Sequence, residues 1–292
     1  MSTFDNIKKH AFGFFQIKDV PAPKELADYY SKKYYQESMG SYEDSYSTEE
    51  INHIRKKIAF RWSIIETCFN GSGKLLDVGC GEGFTLAFFK DLGWEVQGLD
   101  FSTAGIESQN PEVLSELVVG DVFDNLSAQI ESGKQYDIIW LQNVLEHVID
   151  PVGLMTSLTQ LVKVNGVLVV TVPNDFSELQ LNALKQGKVQ RPYWIAPPDH
   201  LSYFSAESLR KIGLETGWTC DDLIADFPVD WFIYNKSANY IEDRSCGKAA
   251  HLARIELENM LLSKSKADLK QFYTALANLG MGRDITAFYR RA

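Results

Sequence analysis

The chain has 292 residues, 45% hydrophobic and 23% charged, with a formal net charge of −10 at pH 7. That is the composition of a soluble globular protein of one or two domains, and the acidic balance argues against a nucleic-acid partner, which takes a basic face. No apolar run is long enough to span a bilayer, and Met1–His10 lacks the apolar stretch of a leader.

Cys68, Cys80, Cys220 and Cys246 are scattered without a C-x-x-C pair, so the expectation is reduced thiols in a cytoplasmic protein. Residues 1–20 hold Phe12, Phe14, Phe15 and Ile17 without a clear period. Pro21-Ala22-Pro23 opens a helical pattern from Lys24 to Gln36. Within it Leu26, Tyr29, Tyr30, Tyr34 and Tyr35 recur at helical spacings, as packing or as a gate over a ligand. The polar stretch Glu37 to Glu50 reads as a mobile loop. Thr48-Glu49-Glu50-Ile51 then reads as an N-cap with acidic first-turn residues, opening a helix to about Phe69.

Leu75-Leu76-Asp77-Val78 runs into Gly79-Cys80-Gly81-Glu82-Gly83-Phe84, and an amphipathic segment follows to Leu92. A short apolar run entering closely spaced glycines is a buried parallel strand turning into a helix, whose free N–H groups point at a ligand. A dinucleotide fingerprint needs glycine at position 84, where this chain has phenylalanine. Asp77 inside the strand repels a pyrophosphate and suits a cation or an amine.

Further strands are predicted at 93–100, 117–121, 136–141 and 166–172, with helices over 103–109, 124–132 and 151–163. Such alternation builds a parallel sheet covered on both faces, which binds ligands outside the carboxyl ends of its strands. Asp100 closes the second strand, where a carboxylate accepts from ribose hydroxyls, and Phe101 can cover a purine face. Asp121 closes the third strand, facing an adenine amino group or capping the next helix. Leu141-Gln142-Asn143-Val144-Leu145-Glu146-His147-Val148 follows the fourth.

The run Leu75–Ser102, then Gly120-Asp121, then Asn143–Val148, resembles class I S-adenosylmethionine-dependent methyltransferases of the small-molecule type. It is similar to ubiquinone O-methyltransferases and to enzymes that tailor sugars. Pro198-Asp199-His200-Leu201-Ser202-Tyr203-Phe204-Ser205 is similar to the D-H-L-x-x-F-S stretch those proteins place before their next helix. The resemblance covers about 75–226. It implies an α/β, Rossmann-like, seven-stranded and mostly parallel sheet, with the last strand antiparallel and a helical cap. It also implies cofactor contacts from Asp77, Gly79, Cys80, Gly81, Gly83, Asp100, Phe101, Ser102, Asp121 and Val122, with backbone near Leu141 and Asn143 closing over S-adenosylmethionine.

On that basis 1–70 is an N-terminal helical cap segment and 71–227 the cofactor-binding core. Residues 228–280 form a helical insertion, with helices near 248–262 and 266–279, and 281–292 the final core strand. That strand, Asp284–Arg290, is expected between the fifth strand and a sixth at 217–227. The insertions at 174–197 and 228–280 both start at carboxyl strand ends and are expected to fold over the active site.

Methyl transfer from a sulfonium is an in-line displacement, and it often needs one proton removed from the acceptor. His200 is the first choice as base, flanked by Asp199 and Tyr203; His147 is a second or orienting base, and Tyr203 a hydrogen-bonding partner. No H-x-x-x-H or His/carboxylate cluster at ligand spacing is legible, so no metal is expected. Arg191 and Arg244 are candidate clamps for a phosphate or carboxylate, or simply solvated.

The expected acceptor is a small metabolite methylated on O or N, such as a nucleotide-linked sugar of surface-polysaccharide or natural-product biosynthesis. A quinone-precursor phenol is the close alternative, and a non-catalytic regulator that binds S-adenosylmethionine is another. No membrane partner is expected, and monomer and homodimer both remain open.

Overall fold

The structure, a computed structural model, describes residues 3–22 and 46–292. The predicted helix at 24–36 and residues 37–45 of the predicted loop lie outside the described residues.

In chain order the elements are strands β1 (Ile7–Lys9) and β2 (Phe15–Ile17), helix α1 (Thr48–Ile65), β3 (Lys74–Val78), α2 (Phe84–Asp91) and β4 (Glu95–Asp100). Next come α3 (Ala104–Gln109), β5 (Leu117–Val119), α4 (Val122–Glu131), β6 (Tyr136–Gln142), α5 (Pro151–Leu158) and β7 (Val162–Pro173). The chain ends with α6 (Glu178–Lys185), β8 (Ser202–Tyr203), α7 (Ala206–Glu215), β9 (Trp218–Ala225), α8 (Gly247–Leu262), α9 (Lys266–Asn278) and β10 (Asp284–Arg291).

Seven strands form one sheet in the order β5-β4-β3-β6-β7-β10-β9. The pairs β5–β4, β4–β3, β3–β6 and β6–β7 are parallel. Strand β10 enters antiparallel between β7 and β9, where the sequence placed it. The central strands read as unbroken apolar runs because helices cover both faces: Leu75, Leu76, Ile138, Ile139, Leu168, Val169 and Val170 are fully buried. Since β10 runs the other way, its beginning lies level with the carboxyl ends of its neighbours. Asp284 pairs with Pro173 and Ile285 with Ala225.

Two expectations about the periphery change. The N-terminal part is not wholly helical: β1 and β2 form a hairpin that β8 extends to a three-stranded sheet. The N-cap of helix α1 stands one residue earlier than read, at Ser47. Its hydroxyl accepts from the Glu50 N–H while the Glu50 carboxylate accepts from the Ser47 N–H, a capping box.

Helix α1 is fastened by buried charge. Lys57 Nζ lies 3.0 Å from Asp226 and 3.6 Å from Glu258, His53 Nε2 lies 3.1 Å from Glu258, and Arg61 donates to Gln142 Oε1 at 2.8 Å. Three successive turns of one helix are thereby tied to the end of β9, to α8 and to the end of β6. Removing one partner of a buried pair leaves the other charged and desolvated. Lys57→Met is therefore expected to lower unfolding free energy by about 3–5 kcal/mol, with Lys57→Met/Glu258→Gln recovering part of it. Urea unfolding of both variants checks this; a loss under about 1 kcal/mol would place the pair among weak surface contacts.

Candidate active site

At the carboxyl ends of β3, β6 and β7 lies a cleft of about 500 Å³. Its floor is the glycine turn. Gly79 has φ +70°, and a Cβ there would run into the Val144 side chain, so only glycine lets the strand end turn under the loop after β6. The Gly79 and Cys80 N–H groups donate to the Leu99 carbonyl, which pins the turn to β4. Asp100, 6% exposed, accepts from Gly81 N–H at 2.9 Å and Ser102 N–H at 3.1 Å, holding the turn and the β4 end together.

Of the cofactor residues named from the sequence, Asp77, Gly79, Cys80, Gly81 and Asn143 line the cleft. Asn143 does so in the left-handed region, φ +53°, its N–H donating to the Thr171 carbonyl. Gly83, Asp100, Phe101, Ser102, Asp121, Val122 and Leu141 are not among the lining residues. Leu141 is fully buried, Val122 is the buried first residue of α4, and Asp121 is the N-cap of α4, its Oδ1 accepting from Phe123 and Asp124 N–H.

The far end brings together residues distant in sequence. His147 and His200 meet with ring centroids 4.9 Å apart. His147 Nδ1 is 2.6 Å from the Asp199 carbonyl oxygen, an acceptor, which fixes the proton on Nδ1 and leaves Nε2 as a base. His200 Nδ1 lies 4.0 Å from Asp175 Oδ2 and has no hydrogen-bond partner. Tyr203 does not fill the role read from the sequence. It is 1% exposed, absent from the cleft wall, and donates its hydroxyl to the His200 backbone carbonyl at 2.9 Å, so it supports the main chain and not the ring.

The sequence reading missed several cleft residues. Glu146, 1% exposed, presents two carboxylate oxygens without a partner, and its Oε1 lies 3.8 Å from His147 Nε2. Glu82, Arg283 and Asp284 also line the cleft, as do Ile54 and Ile58 of α1. Arg191 and Arg244 are exposed and not on its wall; Arg283 is the arginine there, 3.8 Å from Asp175. The 174–197 insertion contributes Tyr193, Trp194 and Ala196, whereas no described residue of 228–280 lines the cleft. Contrary to the reading that no His/carboxylate cluster exists, ligand atoms of Glu146, His147 and His200 lie within 4.8 Å of one another. Segments more than 50 residues apart build that cluster, which a search for local spacing does not see.

Burial dominates the electrostatics. It pushes the Asp77 carboxyl up to about 8, with the neighbouring Asp100 charge adding to the effect. It pushes Glu82 up to about 7 against a Tyr46 hydrogen bond, and Asp175 to about 7 against Arg283. Glu146 rises well above the usual carboxylate range for the same reason. Burial lowers His200 to about 3, helped by the nearby His147 and Arg283, and lowers His147 against the raising influence of Asp199. Both imidazoles are neutral at pH 7.

A seven-stranded sheet with one antiparallel strand and a glycine turn after its first core strand is a Rossmann-like architecture, with its cleft at the carboxyl ends of the strands. The family model described as "Methyltransferase domain" matches residues 46–223, and the chain belongs to that family, within the class I S-adenosylmethionine-dependent methyltransferases. It is 27% identical over 201 residues to a ubiquinone biosynthesis O-methyltransferase of Haemophilus ducreyi, covering 62% of this chain and 83% of that one. A magnesium protoporphyrin IX methyltransferase from Synechocystis, solved with bound S-adenosylhomocysteine, aligns with a TM-score of 0.54 at 13% identity, covering 93% of this chain and 100% of that one. A methyltransferase from Archaeoglobus fulgidus aligns at 0.50 and 18% identity, covering 83% and 97%. At these identities the solved structures establish the shared fold.

Because Asp77 is raised to about 8, it is largely protonated at pH 7, and a cationic ligand favours its ionised form. Binding of S-adenosylmethionine is thus expected to release protons, and affinity to rise as pH climbs through about 8. Calorimetry in buffers of different ionisation enthalpy reads the protons directly. Asp77→Asn should abolish that release; an unchanged release would remove Asp77 from the site.

Proposed function

We propose that this enzyme moves the methyl group of S-adenosylmethionine to an oxygen or nitrogen of a small polar metabolite held between the glycine turn and the His147–His200 pair. The observation that carries the reading is the pair itself: two imidazoles, neutral through burial, share one cleft with the turn. The glycine turn and Asp77 hold the methionine part of the donor, and Asp100 the ribose. Asp121 is available to the adenine amino group as well as to its helix.

The methyl carbon leaves sulfur with its bonding electrons staying on sulfur, and a lone pair of the acceptor forms the new C–O or C–N bond. The acceptor's proton passes to an imidazole. His200 is the first choice, since Asp175 behind it stabilises an imidazolium as it forms; His147 Nε2 is the second. Helix α1 and the Tyr193–Trp194 segment wall the cleft and exclude water. A sugar linked to a nucleotide suits the polar wall. A quinone-precursor phenol is the second reading, supported by the O-methyltransferase names of the relatives.

Two experiments test this. Asp100→Ala is expected to weaken S-adenosylmethionine binding by about 1.5–3 kcal/mol, the worth of hydrogen bonds to a charged group; unchanged affinity in a titration would remove the ribose assignment. His200→Ala is expected to cut turnover by about 10²–10⁴ with cofactor affinity and melting temperature nearly unchanged. Parent-like turnover in His200→Ala with a dead His147→Ala would reverse the order of the two bases. Full activity in both would leave proximity as the source of catalysis.

A further inference from the structure

The cleft is acidic beyond what its cofactor explains. Five carboxylates line it, Asp77, Glu82, Glu146, Asp199 and Asp284, against one arginine, Arg283. Asp77 and Glu82 belong to the glycine-turn end, where the sulfonium and ammonium of the donor supply positive charge. Glu146, Asp199 and Asp284 lie at the other end. Asp284 has Lys57, Arg61 and Arg283 acting on it, and Asp199 lies 3.6 Å from His147 and 3.8 Å from His200, whereas Arg283 has Asp175 3.8 Å from its guanidinium and Glu146 is left with acids around it. Glu146 is the sharpest case: a carboxylate 1% exposed, on the cleft wall, with both oxygens lacking a hydrogen-bond partner. Burial favours its protonated form while the cleft is empty, and a cationic donor that arrives with a ligand favours the carboxylate.

The aromatic residues of the same wall narrow the choice of donor. Tyr193 and Trp194 line the cleft and meet edge to face with centroids 5.4 Å apart. Carboxylates beside aromatic rings are the surroundings that hold an organic ammonium, through charge and through the ring quadrupole together. An anionic acceptor meets three acids there, Glu146, Asp199 and Asp284, so any phosphate or carboxylate it carries stays at the cleft mouth.

We propose that the methyl acceptor enters as a protonated amine, whose ammonium lies beside Glu146 in the cleft that Tyr193 and Trp194 also line. This rests on the methyl-transfer reading and narrows it to nitrogen. The ammonium gives one proton to the neutral imidazole of His147, whose Nε2 lies 3.8 Å from Glu146 Oε1, and the freed lone pair attacks the methyl carbon. The S–C bonding pair stays on sulfur, and the products are a protonated N-methylamine, S-adenosylhomocysteine and an imidazolium. Charge balances at +2 on both sides. An amino sugar is one acceptor of this kind.

The test is a calorimetric titration of the protein saturated with S-adenosylhomocysteine, at pH 7 in EDTA, with matched probes. These are glucosamine against glucose, and benzylamine against benzyl alcohol. At least one amine is expected to bind about 10-fold or more tightly than its neutral partner, the range of a desolvated cation beside rings and a carboxylate. Glu146→Gln should shrink the preference below about 3-fold while S-adenosylhomocysteine affinity holds. If Glu146→Gln does not fold, Trp194→Leu serves as the second variant and should also reduce the preference. Equal binding of amine and neutral probes overturns the proposal, as does a preference that survives in the folded variants. So does neutral-probe binding that appears only when Mg²⁺ or Zn²⁺ replaces EDTA, since the missing cation would then be inorganic. Failure of S-adenosylhomocysteine to bind at all would instead overturn the methyl-transfer reading beneath it.

Discussion

Carboxylates buried without matching cations at the carboxyl edge of the sheet are the constraint on which the rest of this structure depends. Asp77, 3% exposed, stands one residue before the end of β3, and Glu146, 1% exposed, lines the same cleft. In a low-dielectric surrounding each disfavours its own charged form, and neighbouring acids compound the cost. Burial raises both carboxyls, so each favours its protonated form in the empty cleft. The same desolvation keeps His147 and His200 neutral, so one physical cause prepares the site both to receive a cation and to accept a proton.

The scaffold answers with charge that is matched. On the far side of α1, Lys57 is shared between Asp226 and Glu258, and Arg61 reaches Gln142 at the end of β6. Burial raises the Glu258 carboxyl, yet Lys57 and His53 outweigh it and hold it near 2. Asp226 also accepts from the Arg283 and Asp284 N–H groups, so it fixes the entry into β10. Paired charges behind α1 thus position the unpaired ones in front of it. Ile54 and Ile58 face the cleft from the helix that this pairing anchors.

The sheet was legible because its strands are nearly continuous apolar runs between glycine stops, as in 166–172 and 75–78. Even the placement of β10 between β7 and β9 followed from the family resemblance. The β1–β2 hairpin was not legible: strands of three residues carry almost no period, and their third partner, β8, lies at 202–203. The places of Asp77, Gly79, Gly81 and Asn143 on the cleft wall were legible because each stands next to a strand end. Arg283 and Asp284 were missed for a geometric reason. In an antiparallel strand the residues at the ligand edge come at its start, and strand ends alone were searched. Glu146 stood in the quoted run beside His147, but its isolation from any donor is a property of packing, invisible in sequence. Tyr203 looked functional from its nearness to His200, although its hydroxyl reaches the backbone and not the ring.

A crystal structure of the protein with S-adenosylhomocysteine tests the central claim most directly. The account predicts the amino-acid tail against Asp77 and the glycine turn, the ribose hydroxyls on Asp100, and the sulfur facing the His147–His200 end of the cleft. A sulfur turned away from both imidazoles, or a nucleoside bound outside this cleft, would contradict it.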